Sequence, residues 1–273
     1  MIRSLLHAWI EGRQAAALAS DARSRRRLRL DYLCSRLLRL CSFPGLNQPR
    51  QVTLQGLQLH YRFNRGDLQS LREVLVLDTY ASVLPFRPST VLDLGANIGL
   101  TSVWLHSRLQ GSQTQSGLVK PKQFLAVEAV PANASVAQTN FGANQVPGEV
   151  VCAAVGQQTG QAWFLSRRES NLGCLVDRAM PGAVPVPVTN IRELLDRFPG
   201  RHVDLVKMDI EGAEAALLGR ELDWLDTVQS MVVEWHDDRA DPRPLIGNVV
   251  AAGFEHQHVN EKRQDNLSLF QRR

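Results

Sequence analysis

Residues able to do chemistry gather at three places in the chain. The first is Val91-Leu-Asp-Leu-Gly-Ala-Asn-Ile-Gly-Leu, which sets Asp93 just before a loop containing Gly95, Ala96, Asn97 and Gly99. The second is Val203-Asp-Leu-Val-Lys-Met-Asp-Ile-Glu-Gly-Ala-Glu, with Lys207, Asp209, Glu211 and Glu214, and the third is Glu234-Trp235-His236. Lys207 and Asp209 fall on one face of a strand by its period of two. An ammonium inside a sheet needs an anionic partner, for which Asp209 is the candidate. Acid, ammonium and imidazole together suit removal of a proton from a hydroxyl whose oxygen is aligned for attack. Asp209 or His236 is the candidate base, while Lys207, Glu211 and Glu234 would position and tune it. His236 taken alone reads more readily as an ordinary rim histidine, and Glu214 equally as an acid suited to a helix N-terminus. Asp209, Glu234 and His236 could also ligate a divalent cation, but their spacing follows no tight ligand pattern, so no metal is expected.

The first segment reads as a strand, a tight turn and a helix over Leu100–Leu109. In open α/β sheets ligands bind beyond the carboxyl ends of the strands, which places this turn at the expected site. A dinucleotide loop wants glycines in the order G-x-G-x-x-G, whereas Asn97 and Leu100 stand where the second and third belong. Asp93 at the mouth would oppose a pyrophosphate. It suits S-adenosyl-L-methionine, which carries an ammonium and a sulfonium and no phosphate. Gly95 and Gly99 would let backbone approach such a cofactor closely, with Ala96 and Asn97 between them. Asp93 can alternatively cap its own turn. Glu128 ends the next strand, in Phe124-Leu-Ala-Val-Glu, where it can bind ribose hydroxyls; a solvent-facing acid is the alternative.

These residues need a scaffold of alternating strands and helices, and the chain offers one from Thr90 onward. Strands are expected over 90–94, 124–128, 150–155, 203–209 and 231–235, nearly continuous in apolar residues as burial on both faces requires. A short strand is expected at Trp163–Leu165. Phe254–Val259 and Leu267–Gln271 read as an antiparallel hairpin at one sheet edge, around a charged turn at Asn260–Asn266. Gln110–Lys122, rich in Gln, Ser and Gly, reads as a surface loop. Upstream, alternation over 50–63 with a turn at Gly56 predicts strand structure. A short helix over Asp67–Tyr80 follows, and Pro85 and Pro88 mark a boundary. Residues 1–45 read as helical, with Leu30, Leu33, Leu37 and Leu40 at helical spacing among arginines. The expected organisation is a basic helical region at 1–45, a strand and helix pre-domain at 46–88, and the catalytic domain at 89–273.

A chain of 273 residues, 44% hydrophobic and 21% charged, suits one globular body with an appendage. Its net charge of +4 is uneven: ten arginines against Glu11, Asp21 and Asp31 make residues 1–50 +7, leaving −3 for the remainder. The main body is therefore not expected to bind nucleic acid. The basic head reads either as a helix packed on the body with its arginines in solvent, or as a peripheral contact with anionic lipid or an acidic partner. Four cysteines form no CxxC pair, and Cys34 and Cys41 stand two helical turns apart, about 10 Å, too far for a disulfide. A reducing cytoplasm is the expected home. No apolar run reaches the ~18 residues of a membrane span, and Glu11 and Arg13 interrupt any signal-peptide core. Oligomeric state is not legible.

Together the motifs resemble the FkbM family of methyltransferases. The resemblance is carried by Leu92-Asp-Leu-Gly-Ala-Asn-Ile-Gly, Val127-Glu-Ala-Val-Pro, Ala153-Ala-Val-Gly, Lys207-Met-Asp-Ile-Glu-Gly-Ala-Glu and Glu234-Trp-His, in order, with Glu73 and Tyr80 as a lead-in. It implies an α/β class I methyltransferase fold with a Rossmann-like, mostly parallel sheet, S-adenosyl-L-methionine as cofactor, and usually O-methylation of sugars or natural products. The chain departs from the family at Ala129-Val130, which displaces Pro131 from the acid. A polar loop of the family corresponds only loosely to Ser170-Asn171. The expected function is methylation of a hydroxyl on a sugar, glycan or other small molecule. The alternatives are an NAD-dependent oxidoreductase and a methyltransferase-like binding protein without catalysis.

Overall fold

The computed structural model describes residues 2–35, 46–110, 113–114, 117–118, 123–166, 173–176, 180–236, 239–261 and 264–273. Leu37, Leu40, Cys41, Ser170, Asn171, part of the 110–122 stretch and residues 262–263 of the charged turn lie outside them.

Two helices open the chain, α1 (Ile2–Ala17) and α2 (Ala22–Ser35). The break between them is local chemistry. Asp21 caps α2 by accepting from the Ser24 amide at 2.8 Å, and Ala19 bridges to Leu54. Gly12 lets the helices close up, since a Cβ there would stand 3.1 Å from that of Tyr32. The rotation of α2 is set by polar anchors: the Tyr32 hydroxyl donates to the Leu68 carbonyl at 2.6 Å, and Asp31 accepts from the Tyr61 hydroxyl at 2.6 Å. Leu28, Asp31, Tyr32 and Ser35 therefore face inward. Leu30 and Leu33 are turned outward, 53% and 38% exposed, so these two leucines are not on the packing face.

Strands β1 (Pro49–Leu54) and β2 (Leu57–Arg62) pair antiparallel. Gln55 and Gly56 both take positive φ, 51° and 84°, as a tight primed hairpin turn requires. Asn140 docks this hairpin on the body. Its side-chain oxygen accepts from the His60 amide at 2.7 Å, and its amide donates to the His60 carbonyl at 2.9 Å and the Ile98 carbonyl at 2.8 Å. Helix α3 (Arg65–Leu71), capped by Asn64, runs into a π turn at Arg72–Val76, and a 3-10 turn at Ala81–Phe86 follows.

The body comprises β3 (Thr90–Leu94), α4 (Leu100–Gln110), a two-residue ladder of β4 (Gln113–Thr114) with β5 (Gly117–Leu118), β6 (Gln123–Glu128), α5 (Pro131–Ala143) and β7 (Gly148–Cys152). It continues through β8 (Ala154–Gly156), β9 (Gly160–Ser166), β10 (Gly173–Val176), β11 (Ala183–Asn190), α6 (Ile191–Leu195), β12 (Val203–Met208) and α7 (Glu214–Leu218). Strand β13 (Val228–Glu234), α8 (Pro242–Ala251), β14 (Phe254–Glu261) and β15 (Gln264–Arg272) complete it. Seven strands form one sheet in the order β14-β15-β13-β12-β3-β6-β7, with β15 alone reversed. This is the Rossmann-like, mostly parallel sheet that the family resemblance implied, with the C-terminal antiparallel hairpin read from the residues. Strand β15 lies inside the sheet and β14 forms the edge. Each central strand buries both faces: Val91 and Leu205 point into the core under the N-terminal elements, and Leu92 and Val206 into the opposite core with α6, α7 and α8.

The body differs from expectation in several places, among them the unexpected β10 and the β4–β5 ladder inside the stretch 110–122 read as a loop. The strand read at 150–155 is two strands: the β6–β7 ladder ends with the Ala153 amide donating to the Glu128 carbonyl at 3.0 Å, and β8 then joins a separate four-stranded sheet ordered β10-β9-β11-β8. Strand β11 was not expected, and it contains Pro185 and Pro187, which a central strand would not accept. It is tolerated because β8 pairs only with Val188–Asn190, leaving the proline stretch an edge on that side. Among the described residues no helix is long and apolar enough to cross a membrane, and Cys34 and Cys152 are free thiols.

Candidate active site

The loop after β3 touches the end of β12 backbone to backbone. Gly95 has φ 75°, and a Cβ there would lie 1.7 Å from the Asp209 carbonyl oxygen. The Gly95 and Ala96 amides donate to the Val127 carbonyl at 2.9 and 3.0 Å, which closes the turn against β6. Asn97, also at positive φ (50°), donates its amide to Glu128 Oε2 at 2.8 Å and its Nδ2 to Ser70 Oγ at 2.9 Å. Its Oδ1 is buried without a hydrogen-bond partner.

A cavity of about 250 Å³ opens beside this loop, over the carboxyl ends of the parallel strands. Nine of the residues singled out from sequence line it: Gly95, Ala96, Asn97 and Glu128 on one side, and Lys207, Asp209, Glu211, Glu234 and His236 on the other. Asp93 and Gly99 do not. Asp93 is 1% exposed, accepts from Ser102 Oγ at 2.7 Å and lies 3.3 Å from Lys207 Nζ, so its charge acts from behind the wall. Gly99 makes room for a helix, since a Cβ there would press on Ala137 at 3.1 Å.

Lys207 is the hub. Its Nζ donates to the Gly95 carbonyl at 2.8 Å and lies 3.5 Å from Asp209, so Asp93 rather than Asp209 is its nearer anionic partner. Burial by itself would lower its pKa, but Asp93, Asp209 and Glu234 outweigh that and hold it charged. The strand-end lysine thus ties the glycine loop to the acidic rim.

The rim is crowded with carboxylates. Glu211 and Gly212 both take positive φ, 55° and 98°, a turn that brings Glu211 and Glu214 to the same imidazole. His236 Nδ1 is bonded to Glu214 Oε1 at 2.8 Å, while Nε2 lies 3.6 Å from both Asp209 and Glu211. Burial opposes the imidazolium, but the Glu214 bond and the charges of Asp209 and Glu211 push its pKa up to about 9. Burial and then repulsion from Asp209 push Glu211 up to about 7, and the same two causes with Glu73 push Glu234 up to about 8. Burial also raises Glu128, opposed by hydrogen bonds from Val130, Asn97 and Asn133. Asp209, Glu211 and His236, all half-buried, offer one donor atom each within 4.8 Å of one another, a spacing that could accept a divalent cation.

These raised pKa values have a consequence for stability. A native state that binds more protons than the unfolded chain is stabilised by low pH. For His236 the contribution is complete below about 6.5 and lost as pH rises through about 9; for Glu211 and Glu234 the burial cost grows from about 4.5 up to about 7 and 8. All three have the same sign. The melting temperature of the ligand-free protein should therefore fall steadily between pH 6 and 9; a flat or rising profile would refute the charge crowding.

Several wall residues were not among the site residues expected from sequence, although Glu73 and Tyr80 belonged to the lead-in of the family resemblance. Ser70 comes from α3, Glu73 and Val74 from the π turn, Tyr80 from the segment before β3, and Phe164 from β9. Tyr80 stands 3.5 Å from Glu234 Oε2 and 5.9 Å from Lys207 Nζ across its ring. The grip of Glu214 on His236 was equally hidden, because an acid at a helix start has an ordinary explanation.

Comparison with known proteins gives one assignment. A model of the methyltransferase FkbM domain matches residues 93–262. A search of curated proteins finds no match. Among solved structures, an O-methyltransferase from Bacillus cereus in complex with SAH aligns at 12% identity over 71% of this chain and 78% of its own, with a TM-score of 0.40. A candidate O-methyltransferase from Klebsiella pneumoniae aligns at 15% identity over 71% and 78%, with a TM-score of 0.41. WbdD aligns at 16% identity over 72% of this chain, with a TM-score of 0.38, and the match spans only 38% of WbdD. At such scores these are likenesses and nothing further rests on them. The domain match, by contrast, covers more than half of the chain and contains both halves of the site, from Asp93 to His236. The chain belongs to the FkbM methyltransferase family.

Proposed function

We propose that this protein is an S-adenosyl-L-methionine-dependent O-methyltransferase acting on a hydroxyl of a sugar, glycan or other small molecule, with His236 as the base. The observation that carries the reading is the imidazole itself. Glu214 holds Nδ1 at 2.8 Å, which leaves Nε2 turned toward the cavity between Asp209 and Glu211. A base oriented by a third group is the arrangement that nucleophile activation needs. In this reading residues 89–273 are the methyltransferase domain, preceded by the helical region at 1–45 and the pre-domain at 46–88, and the protein works in the cytoplasm.

The residues fit the cofactor. Five acidic side chains line the cavity (Glu73, Glu128, Asp209, Glu211 and Glu234) against two cationic ones, and a positive ligand would draw the raised ones to their charged form, which favours a cationic ligand over a pyrophosphate. Asn97 Oδ1, buried and without a partner, can accept from an ammonium. Glu128 already takes three hydrogen bonds, from the Asn97 and Val130 amides and Asn133 Nδ2. A carboxylate has about four acceptor positions, so one remains for a ribose hydroxyl. When bound, the cofactor supplies the methyl group and its leaving group. His236 takes the acceptor proton through Nε2, and Asp209 orients the hydroxyl beside it. A positive charge entering the cavity disfavours the imidazolium and brings His236 nearer to its basic form.

Calorimetry with S-adenosylhomocysteine tests the reading, followed by methyl-label transfer to a panel of sugars with and without EDTA. The parent chain should bind, Glu128→Ala should bind about 10- to 100-fold more weakly, and NADH should give no heat. Transfer should survive EDTA. Absence of heat from folded protein, or binding of NADH instead, sinks the proposal.

A further inference from the structure

The helical hairpin at the N-terminus carries a surface that the catalytic reading does not use. Leu6, Trp9 and Ile10, at i, i+3 and i+4 on one face of α1, are 55%, 50% and 41% exposed, and Leu30 and Leu33 on α2 add a second apolar strip. Scattered exposed apolar residues are ordinary, but five of the nine large ones exposed among the described residues fall in these two helices. The inward faces are already occupied by Ala8, Ala15, Ala16, Leu28 and Tyr32, so rotation of either helix cannot bury the outer strips.

The two helices and the turn between them contain seven arginines against three acids, and all three acids are committed elsewhere. Glu11 lies 3.5 Å from Arg72 and 3.4 Å from His7, Asp21 caps α2, and Asp31 is buried against Tyr61. Arg23, Arg26 and Arg29 are exposed, and their guanidinium groups make no hydrogen bond or ion pair among the described residues. Arg13 lies over the Trp9 ring at 4.7 Å, so cation and indole share one place on the surface.

We propose that the α1–α2 hairpin docks on an anionic lipid surface. Exposed Trp, Ile and Leu next to unpaired arginines fit the boundary between headgroups and acyl chains, where apolar side chains enter and cations meet lipid charge. A nucleic-acid surface would explain the arginines but not the aliphatic strips. Among the described residues no helix is long and apolar enough to cross a membrane, and the contact proposed is a peripheral one.

The test is co-sedimentation of the full chain with phosphatidylcholine vesicles, with and without about one-third phosphatidylserine. Binding should be at least about tenfold stronger to the anionic vesicles and should fall steeply as salt shortens the screening length. Both Arg26→Glu/Arg29→Glu and Trp9→Ala/Ile10→Ala should lose most of it. Binding of S-adenosylhomocysteine serves as the control for folding and should be unchanged in each, which keeps this proposal separable from the catalytic one. Equal affinity for neutral vesicles, or retention of binding in either double variant, overturns it. So does a self-associated chain that ignores vesicles and is dispersed by Trp9→Ala/Ile10→Ala, because a second copy would then be the occupant.

Discussion

His236→Ala is expected to bind S-adenosylhomocysteine about as well as the parent chain and to transfer methyl about 10²- to 10⁴-fold more slowly. Removing the imidazole takes away the proposed proton acceptor while leaving Gly95, Asn97 and Glu128 in place. The pH dependence adds a second readout. His236 is held up at about 9, so kcat/KM for the parent should rise with pH and level off only near that value. Glu214→Gln removes the anion bonded to Nδ1, the largest influence favouring the imidazolium, so the basic limb should move to lower pH. Asp209→Asn should move it the same way, because Asp209 stands 3.6 Å from Nε2. Full turnover in His236→Ala, or a limb indifferent to both neighbours, would remove His236 from the chemistry and return the base to a rim carboxylate.

Gly95→Ala should be the most damaging conservative substitution in the protein. Two separate penalties meet there. A left-handed φ costs a side-chain-bearing residue about 1–2 kcal/mol, and the new methyl would stand 1.7 Å from the Asp209 carbonyl oxygen, a backbone atom that cannot rotate away. Relief requires parting the loop from β12, which also breaks the Lys207 bond to the Gly95 carbonyl and moves Asn97. Urea denaturation should show a loss on the order of 4 kcal/mol or more, with cofactor binding abolished in whatever remains folded. Gly56→Ala separates the two penalties, since φ is 84° but no atom lies within 4 Å. Its loss should be confined to the conformational part, and binding should survive. Equal effects at the two positions would show that the contact with Asp209 is unimportant.

The sequence by itself determined the elements that depend on local pattern. The apolar strands, the glycine turn after Leu94 and the hairpin turn at Gly56 follow from side-chain periodicity and from residues that accept positive φ. The order of motifs along the chain was sufficient to announce the family. It also named nine residues that line one cavity, because strand ends in a parallel sheet converge on one rim whatever the loops do.

Tertiary structure decided which charges face each other. From sequence, Asp93 looked like part of the cavity wall and Lys207 like the partner of Asp209. In the fold, β3 and β12 lie side by side with Asp93 and Lys207 in register, and the ammonium turns to the buried acid. The role of Glu214 depended on α7 folding back toward the end of β13, and the roles of Ser70, Glu73 and Tyr80 on a docked segment distant in sequence. Leu30 and Leu33 had helical spacing, yet Tyr32 and Asp31 fixed the rotation of α2 and sent them outward. Periodicity reports which residues share a face; only packing between separate elements settles what that face meets, because hydrogen bonds and charges act across distances the chain order does not record.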